Sequence, residues 1–114
     1  MKSIVNKPWG SYRIIDQGEN FVVKNIVVKP HCKLSLQSHK HRSEHWVIVE
    51  GKAEVTLNDE ISVLEPNQSI YIPSKKKHRL ANNHEKNLIL IEVWYGENLD
   101  EKDITRYEDI YNRV

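Results

Sequence analysis

The stretch QSHKHRSEHW, residues 37–46, brings together three of the six histidines of this chain with a glutamine and a glutamate. A fourth histidine, His78, ends a second polar stretch, PSKKKH, at residues 73–78. Imidazole, carboxamide and carboxylate groups supplied by two adjoining strands are typical of a mononuclear divalent-metal site. Any one of these histidines alone would be taken for a surface residue, so the metal-site interpretation depends on their spacing.

The sequence around these stretches has a period of two. Short segments rich in β-branched and aromatic residues lie at residues 21–28, 46–49, 53–57, 61–64, 69–72 and 88–95. Turn-forming residues separate them, and Asn58-Asp59 predicts a tight hairpin. Because no long amphipathic segment lies between the strands, the pattern predicts an all-β sandwich or barrel rather than a βαβ fold.

Length and composition limit the class of protein. The 114 residues suit one domain, 1–114, with an N-terminal strand arm (about 1–18), a barrel (about 19–96) and an extended or helical closing segment (about 97–114). With 17 Lys and Arg against 16 Asp and Glu, we expect neither a nucleic acid nor a membrane partner.

The single cysteine, Cys32, excludes an internal disulfide, and no signal peptide or membrane span is evident. We therefore expect a cytoplasmic protein.

The two polar stretches resemble the paired motifs of the cupin superfamily, G-x5-H-x-H-x(3,4)-E-x6-G and G-x5-P-x-G-x2-H-x3-N. Every interval of the second motif fits, with its positions taken in order by Asn67, Pro73, Lys75, His78 and Asn82. The resemblance implies a small cupin domain, a double-stranded β-helix or jelly-roll barrel.

The first cupin motif can be aligned in two registers. Using His39 and His41 as the histidine pair leaves only two residues before Glu44. Using Gln37 and His39 leaves four, and it also keeps six residues between Glu44 and Gly51, so this register is preferred.

Three glycine positions of the motifs are then filled by His31, Asn67 and Lys75. Asparagine tolerates a positive φ better than histidine or lysine does, so these turns have either relaxed geometry or some strain.

A narrower resemblance covers nearly the whole chain. The blocks KPWGSY (7–12), LSLQSHKHRSEHW (34–46), YIP (71–73), HRL (78–80), IEV (91–93) and DITRYEDIY (103–111) are similar to the type II mannose-6-phosphate isomerase family, and they follow its order. In many members this cupin follows a mannose-1-phosphate guanylyltransferase domain. The resemblance implies an enzyme that interconverts mannose 6-phosphate and fructose 6-phosphate through an enediol-like intermediate.

The resemblance also implies the metal ligands. They are Gln37, His39, Glu44 and His78, with His41 as the alternate if the histidine-pair register holds. We expect one divalent ion, with zinc preferred, although nitrogen and oxygen ligands also suit Mn, Fe, Co or Ni.

The substrate in this interpretation is a small sugar phosphate, which needs cationic contacts. Arg42 matches the family's arginine and is the first choice for the phosphate, followed by Arg79 and Arg106. Lys77, in the three-lysine turn before His78, either steers the anion inward or belongs to an ordinary solvated loop. Tyr71 is a candidate for the cavity wall.

Proton transfer needs a further group near the sugar. Glu92 is isolated in an apolar strand, where a carboxylate requires a partner, so it either pairs with an arginine or shuttles the proton. Arg42 and Arg106 complete the predicted catalytic set. Trp94 stands where this family usually has glutamine, which we expect to alter substrate fit or activity.

Two other functions remain open from the sequence. One is isomerisation or epimerisation of another phosphorylated or nucleotide-linked sugar in surface-polysaccharide synthesis, and the other is non-catalytic sugar binding. The complete ligand set favours an enzyme. We also expect a homodimer, because unpaired strand edges favour association.

Overall fold

The computed structural model describes residues 3–113. It contains eleven strands: β1 Val5–Lys7, β2 Gly10–Gln17, β3 Phe21–Val28, β4 Leu36–Ser38, β5 Ser43–Glu50, β6 Ala53–Leu57, β7 Glu60–Leu64, β8 Ser69–Ile72, β9 His78–Ala81, β10 Leu88–Tyr95 and β11 Thr105–Glu108. No helix occurs in the described range, and hence none there is long and apolar enough to span a membrane. The all-β prediction is confirmed. The outer limits of the predicted domain, residues 1, 2 and 114, lie outside the described residues.

Two antiparallel sheets face each other in a jelly roll. One sheet has the order β1-β2-β3-β10-β5-β8 and the other β11-β4-β9-β6-β7. Their inward side chains alternate with outward ones, as the burial pattern of β3 and β10 shows. The prediction of a tight hairpin is confirmed, since Asn58 and Asp59 alone join β6 to β7 and Leu57 pairs with Glu60.

The inward face of the larger sheet changes from apolar to polar along the strands. Ile26, Leu90 and Ile48 form one cross-strand row of the core. Two residues further along β10, the row is Lys24, Glu92 and Trp46, all buried. Full burial of an aliphatic side chain contributes about 1.5–3 kcal/mol. The apolar end therefore stabilises the barrel, while the other end carries charges that need partners.

The structure resolves two alternatives left open by the sequence. The closing segment is extended, because β11 pairs with β4 at the edge of the smaller sheet. The substituted turns keep the left-handed geometry of glycine, with φ of 59° at His31, 72° at Asn67 and 68° at Lys75. The two positions without asparagine are thus strained rather than relaxed.

Candidate metal centre

Three buried side chains converge at the polar end of the barrel. His39 lies just after β4, Glu44 is on β5 and His78 begins β9. Their ligand atoms all lie within 4.8 Å of one another, and each residue is at most 3% exposed. The sequence-predicted ligands Glu44 on β5, His78 on β9 and His39 just after β4 are therefore brought together from three separate parts of the chain.

Each imidazole is oriented by a backbone carbonyl. His39 Nδ1 lies 2.7 Å from the carbonyl oxygen of Asp103, and His78 Nδ1 lies 2.9 Å from that of Lys76. Because a carbonyl oxygen only accepts, both Nδ1 atoms carry the hydrogen and both Nε2 atoms carry a lone pair. His78 Nε2 is buried without a hydrogen-bond partner. Such a lone pair fits a metal ion, and the carbonyl contacts fix the rings for it.

The charge states of the cluster also fit a cation. Burial lowers the pKa of His39 to about 4, so the ring is neutral at physiological pH. Burial acts to raise the pKa of Glu44, but the hydrogen bond from Glu92 and the charge of Arg42 outweigh it and hold that pKa below its usual range. Two neutral imidazoles and one carboxylate form a donor set that suits Zn²⁺ and similar ions.

Arg42 supplies the positive charge at this cluster in the structure. Its Nε donates to Glu44 Oε2 at 2.8 Å, and its Nη2 lies 3.2 Å from His39 Nε2. The other oxygen of Glu44 accepts the indole N–H of Trp46 at 2.9 Å. A cation bound between Glu44 and His39 would take over the contacts that Arg42 now makes.

The two competing ligands of the first motif lie in different places. Gln37 pairs with His78 across β4 and β9 and lines the adjacent cavity, where its Oε1 accepts the Ser35 hydroxyl at 2.8 Å. His41 is exposed and outside the cluster, with its backbone N–H bonded to Asp103. The arrangement places Gln37 beside the cluster and leaves the alternate ligand outside it.

A second carboxyl group adjoins the first. Glu92 accepts the indole N–H of Trp94 two residues along the same strand. Burial and the negative charge of Glu44 raise the pKa of Glu92 well above its ordinary value. The raised pKa favours the protonated form of Glu92 beside Glu44. Glu92 lines the adjacent cavity, and its role as an arginine partner or proton shuttle stays a prediction.

Trp94 lies between two cations. The Arg42 guanidinium is 3.5 Å from its ring centroid and Lys24 Nζ is 3.7 Å from it. The indole thereby holds both cations beside Glu92.

Three further residues contribute to the site without having been predicted from the sequence: Lys24, Glu101 and Asp103. Lys24 is buried and its Nζ contacts Glu101 at 2.7 Å. The sequence did contain a signal for Lys24, because this lysine occupies an inward position of the alternating strand β3. Asp103 holds the loop between β4 and β5, because its carboxylate accepts hydrogen bonds from the backbone N–H groups of Lys40 and His41. No local pattern marks Glu101 or Asp103, since both act on residues far away in the chain.

A cavity of about 150 Å³ opens beside the cluster. Of the predicted substrate and catalytic residues, Arg42, Glu92 and Arg106 line it.

The other predicted substrate residues lie elsewhere. Arg79 donates to the carbonyl oxygens of Leu34 and Glu108 and thereby holds β11 in place. Lys77 Nζ lies over the Tyr107 ring, and Tyr71 is 50% exposed and stacks on His45. None of these three side chains lines the cavity of about 150 Å³, and their assignment as substrate contacts stays a prediction.

Nearly the whole chain is similar in sequence to known proteins. A family model described as mannose-6-phosphate isomerase C-terminal matches residues 1–109. The chain is 54% identical over 110 residues to the xanthan biosynthesis protein XanB of Xanthomonas campestris pv. campestris, covering 96% of this chain and 24% of that protein. It is 52% identical to the alginate biosynthesis protein AlgA of Pseudomonas aeruginosa and to the mannose-1-phosphate guanylyltransferase ManC of Salmonella typhimurium, with 96% of this chain and 23% of each relative covered. The chain thus spans about a quarter of the length of these relatives.

Solved structures share the fold at low identity. Oxalate decarboxylase from Bacillus subtilis superposes with a TM-score of 0.81 and 22% identity over 92% of this chain and 30% of that one. An RmlC-like cupin from Shewanella frigidimarina gives a TM-score of 0.78 and 20% identity over 89% of this chain and 87% of that one. The predicted cupin fold is confirmed.

Proposed function

This chain belongs to the mannose-6-phosphate isomerase C-terminal family, and we propose that it interconverts mannose 6-phosphate and fructose 6-phosphate. The reaction moves a proton between C1 and C2 of the sugar. The proposed ligands of a divalent ion are His39, Glu44 and His78, with Gln37 as the fourth.

One observation carries the proposal. His78 Nε2 is buried and unpartnered, and it faces a neutral imidazole and an ionised carboxylate whose ligand atoms lie within 4.8 Å. An unsatisfied buried nitrogen costs about 1–3 kcal/mol, so a fold that retains one without a ligand would lose stability for no gain. A bound ion satisfies it. When bound, the metal supplies electrophilic stabilisation of the charge that develops on the sugar oxygens.

The residues around the cluster fit the remaining tasks. Glu92 lies in the cavity wall, fixed by the Trp94 indole, and its ionised form is our candidate for the base that takes the proton from one carbon and returns it to the other. The raised pKa of Glu92 makes that carboxylate a stronger base. Arg42 adjoins the same cavity and stabilises negative charge at the reacting end of the sugar. The closing segment contacts this end of the barrel through two backbone carbonyl oxygens, that of Asp100 on Arg42 and that of Asp103 on His39.

The dimensions of the cavity count against full enclosure of a nucleotide-linked sugar. At about 150 Å³ it is smaller than the roughly 300–1,000 Å³ pockets that enclose larger ligands. A nucleoside diphosphate would have to lie outside it.

A coupled isomerase assay tests the proposal. The protein is stripped with a chelator, reloaded with Zn²⁺, Mn²⁺ or Co²⁺, and assayed on mannose 6-phosphate and a panel of other sugar phosphates. Chelation and His78→Ala should abolish turnover, whereas the matched control His45→Ala, which changes an exposed histidine on β5, should retain it. Full metal occupancy with no turnover of mannose 6-phosphate would contradict the proposal.

A further inference from the structure

The cavity carries more positive than negative charge. Its lining includes five cationic side chains, Lys7, Lys24, Arg42, Arg106 and Arg113, and two carboxyl groups, Glu92 and Glu101. A cavity of this kind concentrates an anion.

Three of these cations already have carboxylate partners. Lys24 contacts Glu101 at 2.7 Å, Arg42 contacts Glu44 at 2.8 Å, and Arg113 contacts Asp109 at 2.6 Å. Within residues 3–113, Arg106 and Lys7 form no such ion pair. Arg106 Nε is in addition buried with no hydrogen-bond partner. Arg106 is therefore a guanidinium that faces the cavity with unused donor capacity.

The strand register fixes the position of Arg106 relative to the metal centre. Arg106 pairs with Gln37 across β11 and β4, and Gln37 pairs with His78 across β4 and β9. Adjacent strands are about 5 Å apart, so Arg106 begins about 10 Å from His78 on the same inward face. A hexose chain whose carbonyl end lies at the metal centre directs its sixth carbon away from it, and an arginine side chain spans the rest of that distance.

We propose that Arg106, assisted by Lys7, forms the subsite for the phosphate group of the substrate. The identity of the sugar in this proposal rests on the proposed function, whereas the binding of a phosphate group at Arg106 does not. A phosphate offers oxygens in the geometry that a guanidinium fork binds with two parallel hydrogen bonds. Arg42 adjoins the metal ligands, so we assign it to the reacting end of the sugar. Arg106 thus replaces Arg42, the first choice from the sequence, as the proposed phosphate contact.

The test measures binding and turnover separately. The metal-loaded wild type, Arg106→Gln and Arg106→Lys are titrated calorimetrically with inorganic phosphate and assayed for kcat and KM on mannose 6-phosphate. The matched control is Arg13→Gln, since Arg13 follows the cavity residue Tyr12 on β2 and projects to the opposite face of the sheet. Melting temperature and metal affinity establish that each variant is folded and loaded.

Arg106→Gln should weaken phosphate binding and raise KM by about 10- to 100-fold with kcat much less affected, as expected for a charge-assisted contact. Arg106→Lys should recover part of the phosphate affinity, and Arg13→Gln should match the wild type. Unchanged phosphate affinity and KM in a folded, metal-loaded Arg106→Gln would overturn the subsite while leaving the isomerase proposal intact. Phosphate binding that depends on Arg106 in a protein without isomerase turnover would support the subsite and contradict the proposed function.

Discussion

Replacing His78 by leucine should separate the stability of the fold from its affinity for metal. The substitution removes the unpartnered Nε2, which costs about 1–3 kcal/mol in the metal-free protein, and the Nδ1 bond to Lys76, which is worth about 0.5–1.5 kcal/mol. Leucine also suits the surrounding rings of His39 and Trp46. Without metal, His78→Leu should therefore be as stable as the wild type or up to about 2 kcal/mol more stable.

In the presence of metal, the wild type should be more stable than His78→Leu. A free ion at 100 times its Kd stabilises the wild type by about 2.7 kcal/mol, which corresponds to a rise in Tm of roughly 10 °C or more. Loss of one ligand should weaken the affinity by at least about 100-fold, the upper end of what losing a supporting contact costs. The same ion concentration then contributes only about 0.4 kcal/mol, or roughly 2 °C.

Differential scanning calorimetry with and without Zn²⁺ measures both effects. The control His41→Leu changes the exposed alternate ligand and should keep the full metal-induced shift. A wild-type shift in His78→Leu would refute the assignment of His78 as a ligand. A loss of several kcal/mol in the metal-free variant would refute the argument that the unpartnered nitrogen is costly.

Three further predictions concern neighbouring residues. Glu92→Gln should lower isomerase kcat by about 10²–10⁴-fold with little change in metal affinity, because it removes the proposed proton carrier; equal kcat would exclude that role. Asp103→Ala should weaken metal binding by about 10–100-fold, measured by competition with a chelator, because it frees the backbone of Lys40 and His41 and loosens the orientation of His39. Lys75→Gly should raise the free energy of unfolding by about 0.5–1 kcal/mol, since relief of the left-handed strain at φ 68° exceeds the flexibility of glycine; a lower Tm would contradict the strain.

Much of the fold was contained in local pattern. Strand alternation located β3, β6 and β10 at their observed bounds, and Asn58-Asp59 located the hairpin. The short strands β4, β9 and β11 were not among the predicted strand segments, because their few residues are largely polar and show no run of β-branched or aromatic side chains. These short strands carry Gln37, His78 and Arg106, so the site lies on the elements with the weakest sequence signal.

The candidate ligands His39, Glu44 and His78 could be found from sequence because the intervals between them are set by strand and turn lengths along the covalent chain. The direction of the Arg79 side chain could not be predicted from the sequence, because an arginine on a short strand can point to either face until the neighbouring strand is known. The role of Asp103 could not either, because its contact with His39 joins residues 64 apart in the chain. Spacing along one strand is fixed by covalent geometry alone, whereas the orientation of an imidazole and the free donor of Arg106 depend on which distant segments pack against them.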